Sequence, residues 1–156
     1  MKREYPERPL VGVGAVIVEG DRVVLVRRGA EPMAGEWSIP GGLLEVGETM
    51  RAGAVREAHE ETGLQVETDE VLEVLDRIVP DAQGKVRFHY VLVDFLCRRV
   101  GGELCAGGDA QEARWVRESE LEELRVAEPA VRVIRKGMQR ASAISITKSP
   151  DHPIAK

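Results

Sequence analysis

The sequence predicts a single domain of the α/β or α+β class, on the strength of three observations. Two valine-rich runs surround a Gly-Asp turn near the N-terminus, which is typical of a β-hairpin. A stretch with helix-capping residues at both ends follows near residue 50, and a second amphipathic stretch lies near residue 135. The chain has 156 residues, 43% apolar and 31% charged, which suits one globular domain that buries its own core.

The first third of the chain is predicted to be mostly extended. Leu10–Val18 and Val23–Val26 are rich in β-branched residues and form the two strands of the hairpin. Residues 29–36 contain proline and glycine and are predicted to be a loop. Residues 37–39 begin a short strand, and the Pro-Gly-Gly run that starts at Pro40 is expected to stop it.

A helix is predicted after this run, with both ends marked in the sequence. Thr49 is a suitable N-cap, and Gly63 stands where a left-handed C-terminal residue would end a helix at about Thr62. Val55 and Ala58 lie on one stripe with Thr62, which indicates the face that packs on the rest of the domain.

The second half of the chain alternates strands and helices. Residues 64–79 are predicted to be extended, residues 86–100 a long strand, and Ala113–Val116 a short one. Helices are predicted over Glu118–Leu124 and Pro129–Arg140.

The predicted domain spans residues 1–140. The tail over residues 141–156 has two prolines and no periodicity, and we expect it to be loosely ordered. The N-terminal apolar run is interrupted by glycines and followed by acidic residues, so a secretory signal is not indicated and a cytoplasmic location is expected.

The net charge of −5 is unevenly distributed along the chain. Residues 45–61 carry 2 positive and 5 negative groups, and residues 109–123 carry 2 and 6, whereas residues 124–156 carry 7 and 2. Such an acidic chain is not expected to bind nucleic acids or anionic membranes in general, because both need a basic surface. The apolar runs are also shorter than the roughly 18 residues that would cross a bilayer.

Three glutamates of the predicted first helix point to a metal. Glu57, Glu60 and Glu61 are spaced three and four residues apart, so they lie on one side of the helix and repel each other. Arg56 alone cannot neutralise three carboxylates, whereas a divalent cation prefers oxygen ligands and accepts phosphate oxygens as well. The glycines that end at Gly42 would let the backbone come close to a metal or a substrate.

The pattern around these glutamates resembles the signature of the Nudix hydrolases, G-x5-E-x7-R-E-U-x-E-E-x-G-U, where U is aliphatic. The small Ala58, at an aliphatic position, is the single soft departure. The matching residues are Gly42, Glu48, Arg56, Glu57, Glu60, Glu61, Gly63 and Leu64.

The resemblance implies a fold and a metal site. The fold would be the Nudix α/β/α sandwich, with a mixed central sheet and a catalytic loop–helix–loop. Mg²⁺, or Mn²⁺ in its place, would be bound by Glu57 and Glu61, with Glu60 as a third ligand and the Gly41 carbonyl completing the site.

The resemblance also implies roles for the residues around the metal. Glu48 and Arg56 would belong to the catalytic motif by supporting the helix and orienting the ligands.

The general base and the substrate contacts stay open between alternatives at this point. The base would be Glu112 or Glu60. Arg28, or Arg27 in its place, would contact phosphate. Trp37 is equally consistent with a core residue and with a platform that stacks on a base.

The implied activity is hydrolysis of a nucleoside diphosphate linked to another group. ADP-ribose and related nucleoside diphosphate sugars are the first substrates to consider, and (deoxy)nucleoside triphosphates the second. A nucleotide-sensing module without catalysis is the alternative of a different class, but such a module would not need every carboxylate of the motif. The expected partner is a small nucleotide, and relatives of the first type are often homodimers.

Overall fold

The computed structural model describes the backbone of residues 2–147 and the side chains of residues 2–144. Within the described backbone, seven strands, a short 3₁₀ turn and two helices follow one another. They are β1 (Leu10–Glu19), β2 (Arg22–Arg28), β3 (Trp37–Ser38), β4 (Gly41–Leu43), α1 (Met50–Thr62), β5 (Leu64–Pro80), β6 (Val86–Gly102), β7 (Ala110–Arg117), the turn Glu118–Glu120 and α2 (Glu128–Thr147).

The strands form one mixed sheet, as expected. Its main path runs in the order β3-β2-β1-β6-β5. The pairing of β1 with β6 is parallel, from Leu10 opposite Tyr90 to Ile17 opposite Cys97, and the other pairings are antiparallel. Strand β4 pairs with β1, and β7 pairs with β2. The sheet is therefore mixed because a crossover, which includes α1, separates β1 from β6.

The two helices cover opposite faces of this sheet. Alternate residues of β1 belong to two separate cores, since side chains alternate along a strand. Ala15 and Ile17 pack with Ala54 and Ala58 of α1 on what we term the α1 face. Val16 packs with side chains of α2 on the opposite α2 face. The predicted α/β/α sandwich is confirmed.

The ends of α1 are those that the sequence predicts. The Thr49 side chain accepts a hydrogen bond from the Ala52 amide at 3.1 Å. Gly63 has a φ of 73° and donates its amide hydrogen to the His59 carbonyl, a conformation that suits glycine.

Two segments before α2 depart from the sequence prediction. Strand β3 ends before Pro40, as predicted, but Gly41 and Gly42 then form the separate strand β4, because they pair with β1. The helix predicted over Glu118–Leu124 is wrong. Only Glu118–Glu120 form a 3₁₀ turn, since this segment is rich in like charges and Arg125 turns the backbone into the left-handed region at φ 53°.

The second helix continues seven residues past the predicted end at Arg140. Met138 and Ala141 extend its apolar stripe onto the α2-face core, and this packing supports the added turns. The remainder of the predicted tail, residues 148–156, lies outside the described residues. Within residues 2–147, neither helix combines the length and apolar character needed to cross a membrane.

Candidate active site

A cavity of about 190 Å³ lies where α1, the centre of the sheet and the start of α2 meet. Glu57 and Glu61 of α1 line one end of it, beside Gly41 and Gly42 of β4. Side chains of β5, β6 and α2 line the other end, on the α2 face. Part of the predicted site is thus gathered around one opening.

Arg56 organises the acidic residues of the motif. Its Nε and Nη2 donate to the two oxygens of Glu48 at 2.7 and 2.9 Å, and its Nη1 donates to Glu57 Oε1 at 2.8 Å. A further bond from Nη2 to the Leu43 carbonyl at 3.0 Å ties α1 to β4. The guanidinium lowers the pKa of Glu48, mainly through this direct hydrogen bonding. Glu48 and Arg56 therefore lie where they would orient Glu57.

Glu61 is the most buried carboxylate of the motif, with 9% of its surface exposed. Its Oε2 accepts a hydrogen bond from the Gly41 amide at 3.0 Å. Burial raises its pKa to about 7 despite this bond, and the nearby carboxylates of Glu57 and Asp109 raise it further, while Arg28 lowers it. Burial raises the pKa of Glu57 as well. These neighbours create a local need for positive charge.

The glycines of β4 are required by close contacts. A Cβ added at Gly42 would overlap the carboxylate of Glu57, and one added at Gly41 would overlap the carbonyl oxygen of Val13 in β1. Without side chains, β4 can pair with β1 and still leave room for the carboxylate. The predicted close approach of backbone to the site is therefore present.

The carboxylates of Glu57 and Glu61 suit a divalent metal, and a third ligand from Glu60 stays a prediction. The Glu60 side chain is 50% exposed and approaches Arg56 at 3.3 Å instead of lining the cavity. Among residues 2–144, no three acidic, histidine or cysteine side chains gather closely enough to hold a metal by themselves. Glu57 and Glu61 still fit Mg²⁺, which commonly uses one or two carboxylates and fills its other positions with water and substrate phosphate.

Only one of the two arginines proposed to contact phosphate lines the cavity. Arg28 lines the cavity, and its Nε donates to the Pro32 carbonyl at 2.9 Å. Arg27 is exposed and is absent from the cavity lining. It lies opposite Trp37 in the pairing of β2 with β3. Trp37 packs in the α2-face core and also lines the cavity, and its stacking on a base stays a prediction. Arg114 lies 4.9 Å from the centre of its ring.

Glu112 lies on β7, outside the cavity lining. It faces the same side of β7 as Val116, which packs in the α2-face core, and it approaches Arg114 at 3.4 Å. Neither Glu112 nor Glu60 is among the residues that line the cavity.

Two other carboxylates occupy the cavity lining, and sequence analysis did not select them. Asp109 lines the cavity near Glu61, and its carbonyl accepts the Gly29 amide at 2.9 Å, next to Arg28. Asp94 lies on the α2 face of β6, and burial raises its pKa to about 6, with a smaller contribution from Glu73. Asp94 could have been noticed in the sequence as a single acidic residue within an apolar segment. The position of Asp109 in the cavity lining depends on the pairing of β2 with β7, which the sequence does not reveal.

Comparison with known proteins gives a consistent result. The NUDIX domain model matches residues 8–137. The ADP-ribose pyrophosphatase of Methanocaldococcus jannaschii is 36% identical over 107 residues, covering 69% of this chain and 61% of that protein. The 8-oxo-dGTP diphosphatase of Escherichia coli K12 is 32% identical over 107 residues, covering 68% of this chain and 78% of that protein.

A solved structure agrees with this match over most of the chain. The MutT NUDIX hydrolase from Burkholderia pseudomallei superposes with a TM-score of 0.68 at 27% identity, covering 83% of this chain and 98% of that one. This chain spans less than two thirds of the length of the archaeal relative. With the family model matched from residue 8 to residue 137, the chain belongs to the Nudix hydrolase family, whose members generally use a divalent metal.

Proposed function

We propose that this protein is a Mg²⁺-dependent pyrophosphatase that hydrolyses ADP-ribose or a related nucleoside diphosphate sugar. The observation that carries the proposal is the placement of Glu57 and Glu61 at one end of a cavity large enough to admit part of a nucleotide. Arg28 lies in the same lining and supplies a fixed positive charge for phosphate oxygens. The match to an archaeal ADP-ribose pyrophosphatase favours this substrate class.

The residues of this chain suggest how the reaction proceeds. A bound divalent metal would neutralise the diphosphate and lower the pKa of a water molecule. Glu57 and Glu61 would hold that metal, and Arg56 would keep Glu57 in place through its bond at 2.8 Å. Water then adds to one phosphorus, the bond from that phosphorus to the bridging oxygen breaks, and a carboxylate accepts the proton of the water.

The identity of that carboxylate is part of the proposal. Glu112 and Glu60 are the residues predicted from the sequence, and both are partly exposed. Asp109 is added here because it lines the cavity beside the metal end. A general base must come within hydrogen-bond reach of the attacking water, directly or through a second water.

A second candidate function is hydrolysis of (deoxy)nucleoside triphosphates to monophosphate and pyrophosphate. The 32% identity to the 8-oxo-dGTP diphosphatase over 78% of that protein favours it. The metal end of the cavity serves both reactions, because both break a phosphoanhydride bond. The remainder of the cavity decides between the two substrate classes.

The test is a substrate panel with Mg²⁺ that contains ADP-ribose, deoxynucleoside triphosphates and a dinucleoside polyphosphate. We expect AMP and ribose 5-phosphate from ADP-ribose, and a Glu61→Gln variant with at least about a hundredfold lower kcat, since it loses a metal ligand. Glu67→Gln is the matched control, because Glu67 is an exposed glutamate of β5 that pairs with Arg98.

The outcomes separate the alternatives. Turnover of triphosphates alone would favour the second candidate. Nucleotide binding without turnover by the wild type would favour a sensing module. Equal activity in the Glu61→Gln and Glu67→Gln variants would contradict the metal site.

A further inference from the structure

Asp94 is a buried carboxylate that the proposed hydrolysis does not use. It lies on β6 with 6% of its surface exposed, and it is one of the residues that line the cavity. Burying a carboxylate is costly unless hydrogen bonds or a counter-charge compensate for it. Its presence within the apolar segment from Tyr90 to Cys97 of this strand therefore requires a compensating partner.

The fold makes specific room for this side chain. Asp94 lies opposite Gly14 in the parallel pairing of β1 with β6. A Cβ added at Gly14 would overlap Oδ1 of Asp94 and come within 2.9 Å of Ile39 Cδ1. The absence of a side chain at Gly14 leaves the carboxylate a defined place over the sheet, beside Ile39.

The compensating group does not come from the protein. Within residues 2–144, the carboxylate of Asp94 has no hydrogen-bond or ion-pair partner. Its cross-strand neighbour is Glu73, which is itself an acid, and Lys136 of α2 lies 3.7 Å from Glu73 and donates to the Leu72 carbonyl. The open direction from Asp94 is the cavity.

The surroundings of Asp94 restrict what can bind there. Ile39, Leu92 and Val133 line the same cavity with apolar surface, together with the ring of Trp37, while Arg77 and Tyr90 add polar groups to the lining. A ribose presents several hydroxyl groups that would each need a partner, whereas a nucleobase buries a flat apolar ring and presents few donors. An exocyclic amino group is a donor that a carboxylate accepts well.

We propose that Asp94 selects the nucleobase of the substrate by accepting a hydrogen bond from its exocyclic amino group. The proposal rests on the proposed function, because it assigns the base to the α2-face end of the cavity and the diphosphate to the end that contains Glu57 and Glu61. A base with a carbonyl in place of the amino group turns a lone pair towards the carboxylate. Such a base leaves Asp94 unpaired and is rejected.

The experiment compares pairs of substrates that differ in this group. The kcat/KM of wild-type protein is measured for ADP-ribose and its hypoxanthine analogue, and for ATP and ITP, with Mg²⁺ present. We expect a preference of at least about tenfold for the amino-bearing member of the pair that is turned over, carried mainly by KM. In Asp94→Asn, whose amide can both accept and donate, we expect that preference to fall to within about threefold of unity.

Asp76→Asn is the matched control. Asp76 lies on β5 between Leu75 and Arg77, both of which line the cavity, so its exposed side chain points away from it. This variant should keep the wild-type preference. A preference that is unchanged in Asp94→Asn, or one that follows the ribose hydroxyls in a comparison of ATP with dATP, would overturn the proposal.

Equilibrium binding of AMP and IMP separates this proposal from the proposed function. If the wild type turned over no substrate but still bound AMP more tightly than IMP, and Asp94→Asn lost that difference, the hydrolase proposal would fail and the role of Asp94 would stand. If the wild type turned over its substrates with no preference between bases, the hydrolase proposal would stand and the proposed role of Asp94 would fail. Thermal unfolding of each variant shows that the comparison is made on folded protein.

Discussion

The Arg56 guanidinium holds the Glu48 carboxylate through two hydrogen bonds, from Nε at 2.7 Å and from Nη2 at 2.9 Å. Glu48 lies in the loop before α1, and its Oε1 also accepts the Glu45 amide at 3.1 Å. This pair therefore fixes the loop to the helix before any metal binds. The third bond of Arg56, to Glu57, connects the same anchor to a proposed metal ligand.

Replacing Arg56 is expected to destabilise the fold as well as the site. Arg56→Ala leaves the carboxylates of Glu48 and Glu57 without their partner, and both side chains are less than 15% exposed. We expect a loss of about 3 kcal/mol in the free energy of unfolding, measured by denaturant titration, with a smaller loss in Arg56→Lys, which keeps the charge but not the paired geometry.

The exposed pair of Arg98 with Glu67, at 2.6 Å, provides the comparison. Arg98→Ala should cost less than about 1 kcal/mol, because solvent screens this pair. Equal losses in Arg56→Ala and Arg98→Ala would show that the buried network does not anchor the loop.

Addition of Mg²⁺ is expected to raise the melting temperature, and more so at alkaline pH. The metal requires an ionised Glu61, whose pKa is about 7 without metal, so a proton must leave before binding. Metal at about a hundred times its dissociation constant stabilises the folded state by about 2.7 kcal/mol. Differential scanning fluorimetry should show a larger shift at pH 8 than at pH 6, reversed by EDTA.

The Glu61→Gln variant should lose most of this shift at both pH values, whereas Glu67→Gln should retain it. A shift that is independent of pH in the wild type would argue against Glu61 as a ligand.

The two glycines of β4 should respond differently to alanine. In Gly42→Ala the new Cβ meets the Glu57 carboxylate, which is the end of a side chain and can move, so the fold should survive with a lower kcat/KM and a weaker Mg²⁺ shift. In Gly41→Ala the Cβ meets the backbone of Val13, which cannot move independently of the sheet, so stability itself should fall. Melting temperatures and metal titrations of the two variants would distinguish these outcomes; equal losses of stability would contradict them.

Asp94 is expected to make stability depend on pH in the direction opposite to a paired carboxylate. Its pKa is raised from 3.8 to about 6 in the folded state, so the folded protein holds this proton more tightly than the unfolded chain does. Stability is therefore lost as the pH rises from about 4 through 6. Asp94→Asn removes this cost and should raise the free energy of unfolding by on the order of 2 kcal/mol at pH 8. The gain should be small at pH 4, and an equal gain at both pH values would exclude the ionised carboxylate as the cause.

The general base is distinguished by the pH profile of kcat. If Glu112 or Glu60 accepts the proton, its glutamine variant should lose about a hundredfold or more in kcat and the acidic limb of the profile. If Asp109 does so, Asp109→Asn should show that loss instead, while the Glu112→Gln and Glu60→Gln variants stay within about tenfold of the wild type.

Local signals predicted most of the fold because the elements carry their own boundaries. The caps of α1 at Thr49 and Gly63 and the valine-rich hairpin are examples in which the residues at each end decide the structure. The helix predicted over Glu118–Leu124 was wrong because its boundary depends on a residue beyond it. The spacing within the segment is compatible with a helix, but the left-handed backbone at Arg125 is not.

The site was only partly predictable because part of it depends on pairings between distant strands. Glu57 and Glu61 lie together in the cavity lining, as their spacing on one helix predicts. Asp109 enters the cavity only through the pairing of β7 with β2, and Asp94 only through that of β6 with β1. The spacing of Glu60 gave no indication that its side chain would turn to Arg56 instead of the cavity.

The parallel pairing of β1 with β6 has a consequence for the order in which the protein folds. It joins Gly14 to Asp94, which are 80 residues apart in the chain (94 minus 14), whereas the pairings of β1 with β2 and of β5 with β6 join neighbouring segments. Closing so long a loop costs more conformational entropy than closing a local hairpin, so we expect this pairing to form late. The pocket for the base would then be completed only in the last stage of folding. A nucleotide would consequently stabilise the folded state more than the transition state for folding, and it would slow unfolding more than it speeds folding.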